Sequence, residues 1–267
     1  MIVDWREVNK HMLEITVNLK GKTALVTGGS RGIGRAIAES LGRCGVKVVV
    51  NYHSNAEAAD ETVAVIEAAG SRAWPVRADV SCKQEVDRLF EEVRRYVGDR
   101  LDILVNNAGG PGELTPIDSM TEESWDRCMA VNLKSVFLCT QAASAMLPDE
   151  SGRIINVTSI SARSGGGIGG AHYSAAKAGV SNFTRACAKE FAARKITVNG
   201  IAPGVIYTDI HKNMTTKSQL EELRRRIPLG YVGQAKDVAG GVLFLCSSQA
   251  EYITGEIIEI NGGMLMN

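Results

Sequence analysis

The sequence predicts a doubly wound α/β domain, with a mostly or wholly parallel sheet of about seven strands and helices on both faces. Three observations predict it. Short β-rich apolar runs alternate with segments of helical period along most of the chain. The runs are apolar throughout, as strands covered by helices on both sides must be. A glycine-rich turn follows the first run directly and opens the first helix.

Thr23–Thr27 is the first strand, and the glycines after it lead into an amphipathic helix from Ile33 to Cys44. Val46–Asn51 reads as the second strand despite Lys47, and an alanine-rich helix runs from about Ala56 to Ala69. Ala73–Ala78 is the third strand, and Lys83–Tyr96 is a helix with Val86, Leu89, Phe90 and Val93 on one face. Ile103–Asn106, Ile154–Thr158 and Ile196–Ile201 follow, each flanked by helical pattern, and Ile257–Ile260 closes the series. Right-handed crossovers wind such a chain into an open sheet with ligands at the carboxyl ends of the strands. No linker or shift in composition interrupts residues 19–267, so a single domain is expected. Its least regular segment, 204–228, is the expected mobile substrate loop. Residues 1–18 are either an arm that packs on another subunit or a mis-assigned start, with Met12 as the true one.

Composition narrows the function. Hydrophobic residues at 45% and charged residues at 22% are ordinary for a globular protein and argue against disorder. Lysine plus arginine equals aspartate plus glutamate, 30 against 30, so no bulk charge recommends nucleic acid or an anionic membrane as partner. The cysteines Cys44, Cys82, Cys128, Cys139, Cys187 and Cys246 form no C-x-x-C pair, and the histidines do not cluster, so no metal site is expected. Scattered thiols fit a reducing compartment. The N-terminal stretch lacks the apolar core of a signal peptide, and no run is long enough to span a bilayer. A soluble cytoplasmic protein is expected.

The turn reads Thr27-Gly28-Gly29-Ser30-Arg31-Gly32-Ile33-Gly34. Its glycines permit a tight turn and a close approach to a pyrophosphate, which the helix N-terminus then receives on free N–H groups. A dinucleotide on a Rossmann-type sheet is therefore expected. At the end of the second strand an NAD enzyme usually carries an acid for the ribose 2′-OH. Here the chain reads Asn51-Tyr52-His53-Ser54, with no acid before Glu57. Arg31 is either a solvated turn residue or a cation for a 2′-phosphate. These features favour NADP(H) over NAD(H).

The spacing T-G-x-x-x-G-x-G resembles the short-chain dehydrogenase/reductase family. The likeness extends through Asn106-Asn107-Ala108-Gly109, Asn132, Ser159, Tyr173-x-x-x-Lys177 and Pro203-Gly204, and so covers nearly everything from Lys20 onward. Phrases such as GRIINVTSI, ITVNGIAPG and YITGEIIEINGGM are most similar to the 3-oxoacyl-[acyl-carrier-protein] reductase branch. The resemblance implies Asp79 and Val80 beside the adenine, Asn107, Ala108 and Gly109 on the ribose side, and Ile206 and Thr208 at the nicotinamide carboxamide.

Tyr173 and Lys177 share one face of a helix. A phenol of reference pKa about 10 needs roughly 4 kcal/mol of phenolate stabilisation to titrate near 7. A neighbouring ammonium and an oxidised nicotinamide both act in that direction. Tyr173 is thus the expected acid or base, exchanging a proton with the substrate oxygen. Ser159 follows the fifth strand run and is the expected hydrogen-bond partner of that oxygen. Ser161 and Ser164 compete, and the interval to Tyr173 is about one residue longer than the family usually shows, which the glycines of 164–170 can absorb. Asn132 interrupts an apolar helix and is either a satisfied core residue or, as the resemblance implies, the residue whose main-chain carbonyl holds a proton-relaying water near Lys177. His172 reads as pocket lining.

The resemblance implies a carbonyl or secondary-alcohol substrate, including an acyl thioester, and a homotetramer built through the helices of 124–147 and 174–192 and the last strand. Where that branch places a base for an acidic carrier protein, this chain has Asp149 and Glu150, although Lys189 keeps another such charge. A reductase of a free ketone, sugar, steroid or cyclic alcohol is the second reading. A non-catalytic NADP(H) sensor or scaffold is a third, which the full Asn132–Ser159–Tyr173–Lys177 set disfavours.

Overall fold

A computed structural model describes residues 17–208 and 217–266, and side chains at 217–220 are outside the description. Seven parallel strands form one sheet. They are β1 (Thr23–Val26), β2 (Lys47–Tyr52), β3 (Ala73–Arg77), β4 (Ile103–Asn106), β5 (Arg153–Val157), β6 (Thr197–Pro203) and β9 (Ile257–Ile260). Their order across the sheet is β3-β2-β1-β4-β5-β6-β9. A short parallel pair, β7 (Ile206–Tyr207) with β8 (Gly233–Gln234), stands apart from it. The expected strands are all present, with ends shifted by a residue or two in either direction.

The helices are α1 (Gly32–Arg43), α2 (Ala56–Ala68), α3 (Lys83–Val97), α4 (Glu122–Met129), α5 (Ser135–Ala143), the short α6 (Ser161–Ser164), α7 (Ala171–Phe191), α8 (Lys217–Arg225) and α9 (Ala235–Cys246). Several have a plain local cause. Asn55 caps α2 by accepting from the Ala58 N–H at 3.0 Å, and Thr121 caps α4 by accepting from the Ser124 N–H at 3.2 Å. Val86, Leu89, Phe90 and Val93 are the buried face of α3, as the periodicity predicts. The central strands are buried on both faces, so two cores form. One joins Ile37, Leu41, Val242 and Leu245 of α1 and α9 to the sheet, and the other joins Leu89, Phe90, Leu138 and Cys187.

The segment expected as a mobile substrate loop contains β7 and α8, and its residues 209–216 lie outside the described residues, as do 1–16 of the N-terminal segment. Among the described residues no helix is long and apolar enough to cross a membrane.

At the amino edge of the sheet, Asp102 is 2% exposed and joins β1 to β4. Its carboxylate accepts from the Thr23 N–H at 2.9 Å and from the Arg100 guanidinium at 2.7 Å. Replacing it strands a buried backbone donor, a loss of about 1–3 kcal/mol. Asp102→Ala is therefore expected to lose that much stability in urea unfolding; a loss within ~0.5 kcal/mol, as at ordinary surface sites, would contradict this.

Candidate active site

Strand order reverses between β1 and β4, and at such a point the crevice beyond the strand ends is open to a ligand. Thr27 follows β1 there. Its hydroxyl accepts from the N–H groups of Asn107 at 2.9 Å and Ala108 at 3.0 Å. The Asn107 carboxamide donates to the carbonyls of Thr27 at 2.9 Å and Gly28 at 3.1 Å. Asn51, on β2, accepts from the Gly28 N–H at 3.2 Å and donates to the Ala78 carbonyl at 3.1 Å. The side chains of Asn51 and Asn107 are therefore committed to shaping the turn.

The turn fits an anion. Gly28 and Gly32 take positive φ of 61° and 55°. A Cβ on Gly34 would collide with the Gly28 carbonyl and Asn107. No side chain caps the N-terminus of α1 and no acid lies in its first turn, so its free N–H groups and dipole face the crevice. Ser30 is buried at the base of the turn while Arg31 is exposed beside it. Thr208 lies across the crevice, its Cγ2 at 3.5 Å from where a Gly32 Cβ would be.

Tyr52 is half-buried, and His53 and Ser54 are exposed at the end of β2. Asp79, at the end of β3, is 4.0 Å from His53 Nε2, beside the buried Val80. Burial works to raise the Asp79 carboxyl, but hydrogen bonds from Ser81 and the nearby His53 and Arg127 outweigh it and hold the pKa low. Pro203 and the buried Ile206 border the crevice from β6 and β7, and the Gly204 N–H donates to the Ile260 carbonyl at 2.9 Å.

The catalytic candidates converge beside this turn. A π turn over Ala130–Lys134 interrupts the α4–α5 helix and contains Asn132. Its carboxamide accepts from the Gly110 N–H at 2.9 Å and donates to the Gly110 carbonyl at 3.0 Å and the Cys128 carbonyl at 3.0 Å. Asn132 is thus a satisfied core residue that sits inside a local break of the helix. Gly109, at φ 153°, lies so close that a Cβ would be 2.5 Å from Asn132 Oδ1 and 3.3 Å from Lys177 Nζ. Lys177 is 3% exposed and donates to the Val157 carbonyl at 2.8 Å. The Thr158 hydroxyl donates to the Lys177 main-chain carbonyl at 2.9 Å. Ser159 follows β5 and accepts from the Ser161 N–H at 3.1 Å. Lys177 Nζ is 5.8 Å from the Tyr173 ring centre, and the Ser159 hydroxyl is near enough to the phenol to draw its pKa down.

The electrostatics differ from the expectation of an ammonium pulling down a phenol. Burial pushes the Tyr173 phenol above its usual pKa, Ser159 draws it partly back, and Cys128 adds to the rise. Burial lowers Lys177 to about 8. Desolvation is the largest cause of both shifts. Cys128 is the residue that sequence reasoning missed. Its sulfur lies 3.5 Å from the Asn132 amide and is near enough to Lys177 for each to shift the other. Its place on the Asn132 face of the helix was the one available signal. His172 is 1% exposed with Nδ1 unpartnered among the described residues, so it packs inside and does not line an open pocket.

Asp149 and Glu150 also read differently in three dimensions. Asp149 pairs with Arg194 at 2.7 Å and Glu150 with Lys195 at 2.7 Å. The acids that argued against an acidic carrier are locally balanced.

A family model described as enoyl-(acyl carrier protein) reductase matches residues 28–265. The chain belongs to the short-chain dehydrogenase/reductase family and is a nicotinamide-dependent oxidoreductase. Within that family it stands close to the 3-oxoacyl-[acyl-carrier-protein] reductases. The one from Synechocystis sp. is 46% identical over 250 residues, which cover 93% of this chain and 98% of that protein. A blue fluorescent protein from a metagenomic library, solved with NADPH, is 36% identical with a TM-score of 0.86, over 93% of this chain and 100% of that one. A 7α-hydroxysteroid dehydrogenase, solved with NADH and 7-oxo glycochenodeoxycholic acid, is 35% identical with a TM-score of 0.86, over 92% and 95%.

The depressed Lys177 pKa has a consequence for stability. Between about 8 and its unperturbed 10.5 the unfolded chain holds the Lys177 proton and the folded chain does not. Stability contributed at this site therefore rises with pH across that window. Buried Cys139 and Cys246, raised from 9.0 to about 12, act oppositely above about pH 9. Thermal unfolding should show Lys177→Met gaining on the wild-type protein below about pH 8 and losing that advantage progressively as pH rises from about 8. A constant difference in Tm would refute the assignment.

Proposed function

We propose that the protein is an NADPH-dependent reductase of 3-oxoacyl thioesters or related ketones, with Asn132, Ser159, Tyr173 and Lys177 as its catalytic set. The observation that carries the reading is a phenol kept neutral by burial, with the Ser159 hydroxyl beside it, next to a turn built for a dinucleotide. A neutral phenol is the form that gives a proton, as reduction of a carbonyl requires.

Gly28, Ser30, Arg31, Gly32, Ile33 and Gly34 would hold the pyrophosphate. Asp79 and Val80 would border the adenine, Asn107 to Gly109 the ribose, and Pro203, Gly204, Ile206 and Thr208 the nicotinamide end. When bound, the reduced cofactor supplies a hydride. Ser159 orients the substrate carbonyl by a hydrogen bond to its oxygen, and Tyr173 delivers a proton to that oxygen as negative charge develops. Lys177, held by Val157, sits where its charge stabilises the resulting phenolate. A water held by the Asn132 main-chain carbonyl would return the proton by way of Lys177.

Arg31 is exposed beside the turn, His53 and Ser54 flank it, and no acid follows β2 before Glu57. That is the support for NADPH over NADH. The pairing of Asp149 and Glu150 removes the charge objection to an acyl carrier, and free ketones remain the second substrate class. A homotetramer through the helices of 124–147 and 174–192 and the last strand fits Phe137 on α5, which is 43% exposed.

Tyr173→Phe removes the proton donor but keeps the ring, so turnover should fall by about 10²–10⁴ while NADPH affinity, read by fluorescence titration, is kept. Unchanged turnover would sink the mechanism. Arg31→Ala should weaken NADPH roughly tenfold or more and leave NADH nearly unchanged, in line with the loss of one charge-assisted contact. A wild-type preference for NADH would refute the cofactor assignment.

A further inference from the structure

The amino edge of the sheet, opposite the catalytic crevice, holds a buried cation that the reaction does not use. Arg153 is the first residue of β5 and Thr197 the first of β6, and the two are paired in the parallel register. Paired residues project from the same face of a sheet, on strands about 5 Å apart. That face is the one covered by α1 and α9, since Ile155 and Ile201 along the same strands belong to the core those helices close. Arg153 is 3% exposed and Thr197 5%. Arg153 Nη1 donates to the Gly152 carbonyl at 3.0 Å. Its Nε has no partner among the described residues, and neither has the Thr197 hydroxyl.

The charge is met no better than the hydrogen bonds. Among the described residues Glu251 is the one acid within reach of the guanidinium, 3.9 Å from Nη2, and it is 65% exposed, where water screens it. Lys22 adds a second positive charge on this side. Burial pushes the Cys246 thiol up to about 12, and Arg153 and Lys22 both lie near enough to pull against that rise. The carboxyl end of α9, at Cys246, brings a negative dipole end here, yet none of its carbonyls meets Nε. A guanidinium does not shed its proton to escape burial, so its cost falls only when a negative partner is supplied.

We propose that Arg153 and Thr197 bind one small inorganic anion, a halide such as chloride, in the floor of the sheet beside the end of α9. The donor set carries the choice. Arg153 Nε offers a hydrogen and no lone pair, and the threonine hydroxyl can turn its hydrogen to the same point. A halide receives both and offsets the charge. A water would meet the same donors but leave the charge, and its own two hydrogens would need acceptors. A bound anion also fastens the turn after α9 to β5 and β6. In that turn Glu251 faces Arg153, and the Thr254 hydroxyl accepts from the Val198 N–H at 3.1 Å. Lys177 is bonded at Val157, the other end of β5, about 13 Å along the strand. The site is therefore a stabilising one and does not rest on the reductase reading.

The test compares thermal unfolding of the full chain in sodium chloride and in sodium gluconate at equal ionic strength. It uses the wild-type protein and Thr197→Val, which replaces the hydroxyl by a methyl group of similar size. Chloride at about ten times its Kd should raise the wild-type Tm by about 3–6 °C over gluconate. In Thr197→Val that rise should fall to about half or less. Equal rises in the two proteins would be a general salt effect and would overturn the site. Wild-type crystals grown in sodium bromide decide the matter even if the variant does not fold. The expected result is an anomalous peak within hydrogen-bond distance of Arg153 Nε and Thr197 Oγ1. An ordered water there without anomalous signal overturns the proposal. A bromide peak with no chloride-dependent Tm in the wild-type protein marks an adventitious ion only, and overturns it as well.

Discussion

The structure depends on how closely the carboxyl ends of β1 and β4 are sewn together. The Thr27 hydroxyl receives two backbone N–H groups from the Asn107–Ala108 turn, and the Asn107 amide returns two bonds to the backbone of Thr27 and Gly28. Each bond is worth only about 1 kcal/mol net, but leaving any one of these part-buried groups unmet would cost more. The arrangement therefore sets the turn in one shape. It aims the free N–H groups of α1 into the crevice and starts the loop that reaches Lys177 through Gly109.

From there the site is assembled by buried polar contacts between distant parts of the chain. Asn132 binds Gly110, Lys177 binds Val157, and Thr158 binds both Lys177 and Ser181. Below them Asn106 donates to Asn156 at 2.9 Å, and Asn156 to Thr184 at 2.9 Å, bracing β4, β5 and α7 in register. The chain is not fully met, because the buried Asn106 Oδ1 has no partner among the described residues. Burial has an electrostatic consequence as well. The same desolvation raises the Tyr173 phenol and lowers Lys177.

The π turn answers a conflict between two demands on one helix. Asn132 must face Gly110, while α5 must keep Val136, Leu138 and Cys139 buried against the sheet. A π turn inserts one residue and rotates the downstream helix, so both are met. Cys128, in the helix before the π turn, has its sulfur 3.5 Å from the Asn132 amide. In the sequence a thiol there is one more buried cysteine, set apart from Cys139 or Cys187 only by its four-residue interval to Asn132. Asp149 and Glu150 also gain a context that their place in the chain does not show. Their partners Arg194 and Lys195 stand 45 residues away, and a charge counted without its partner has the wrong meaning.

Strand and helix periods, the glycine-rich turn and the Asn132–Ser159–Tyr173–Lys177 set were legible in the sequence because each depends on residue type at short range. Apolar runs make strands, glycine readily takes positive φ at Gly28 and Gly32, and a four-residue interval puts Tyr173 and Lys177 on one helix face. The sequence by itself therefore determined the architecture and the chemical inventory of the site. Only the tertiary structure decided how those groups behave. It buried Lys177 against Val157, raised Tyr173, turned Asn132 toward Gly110, placed Cys128 among them and clasped Thr115 to Gly169. The reason is common to all five. Desolvation and hydrogen bonding act through space, between residues whose separation along the chain carries no record of their contact.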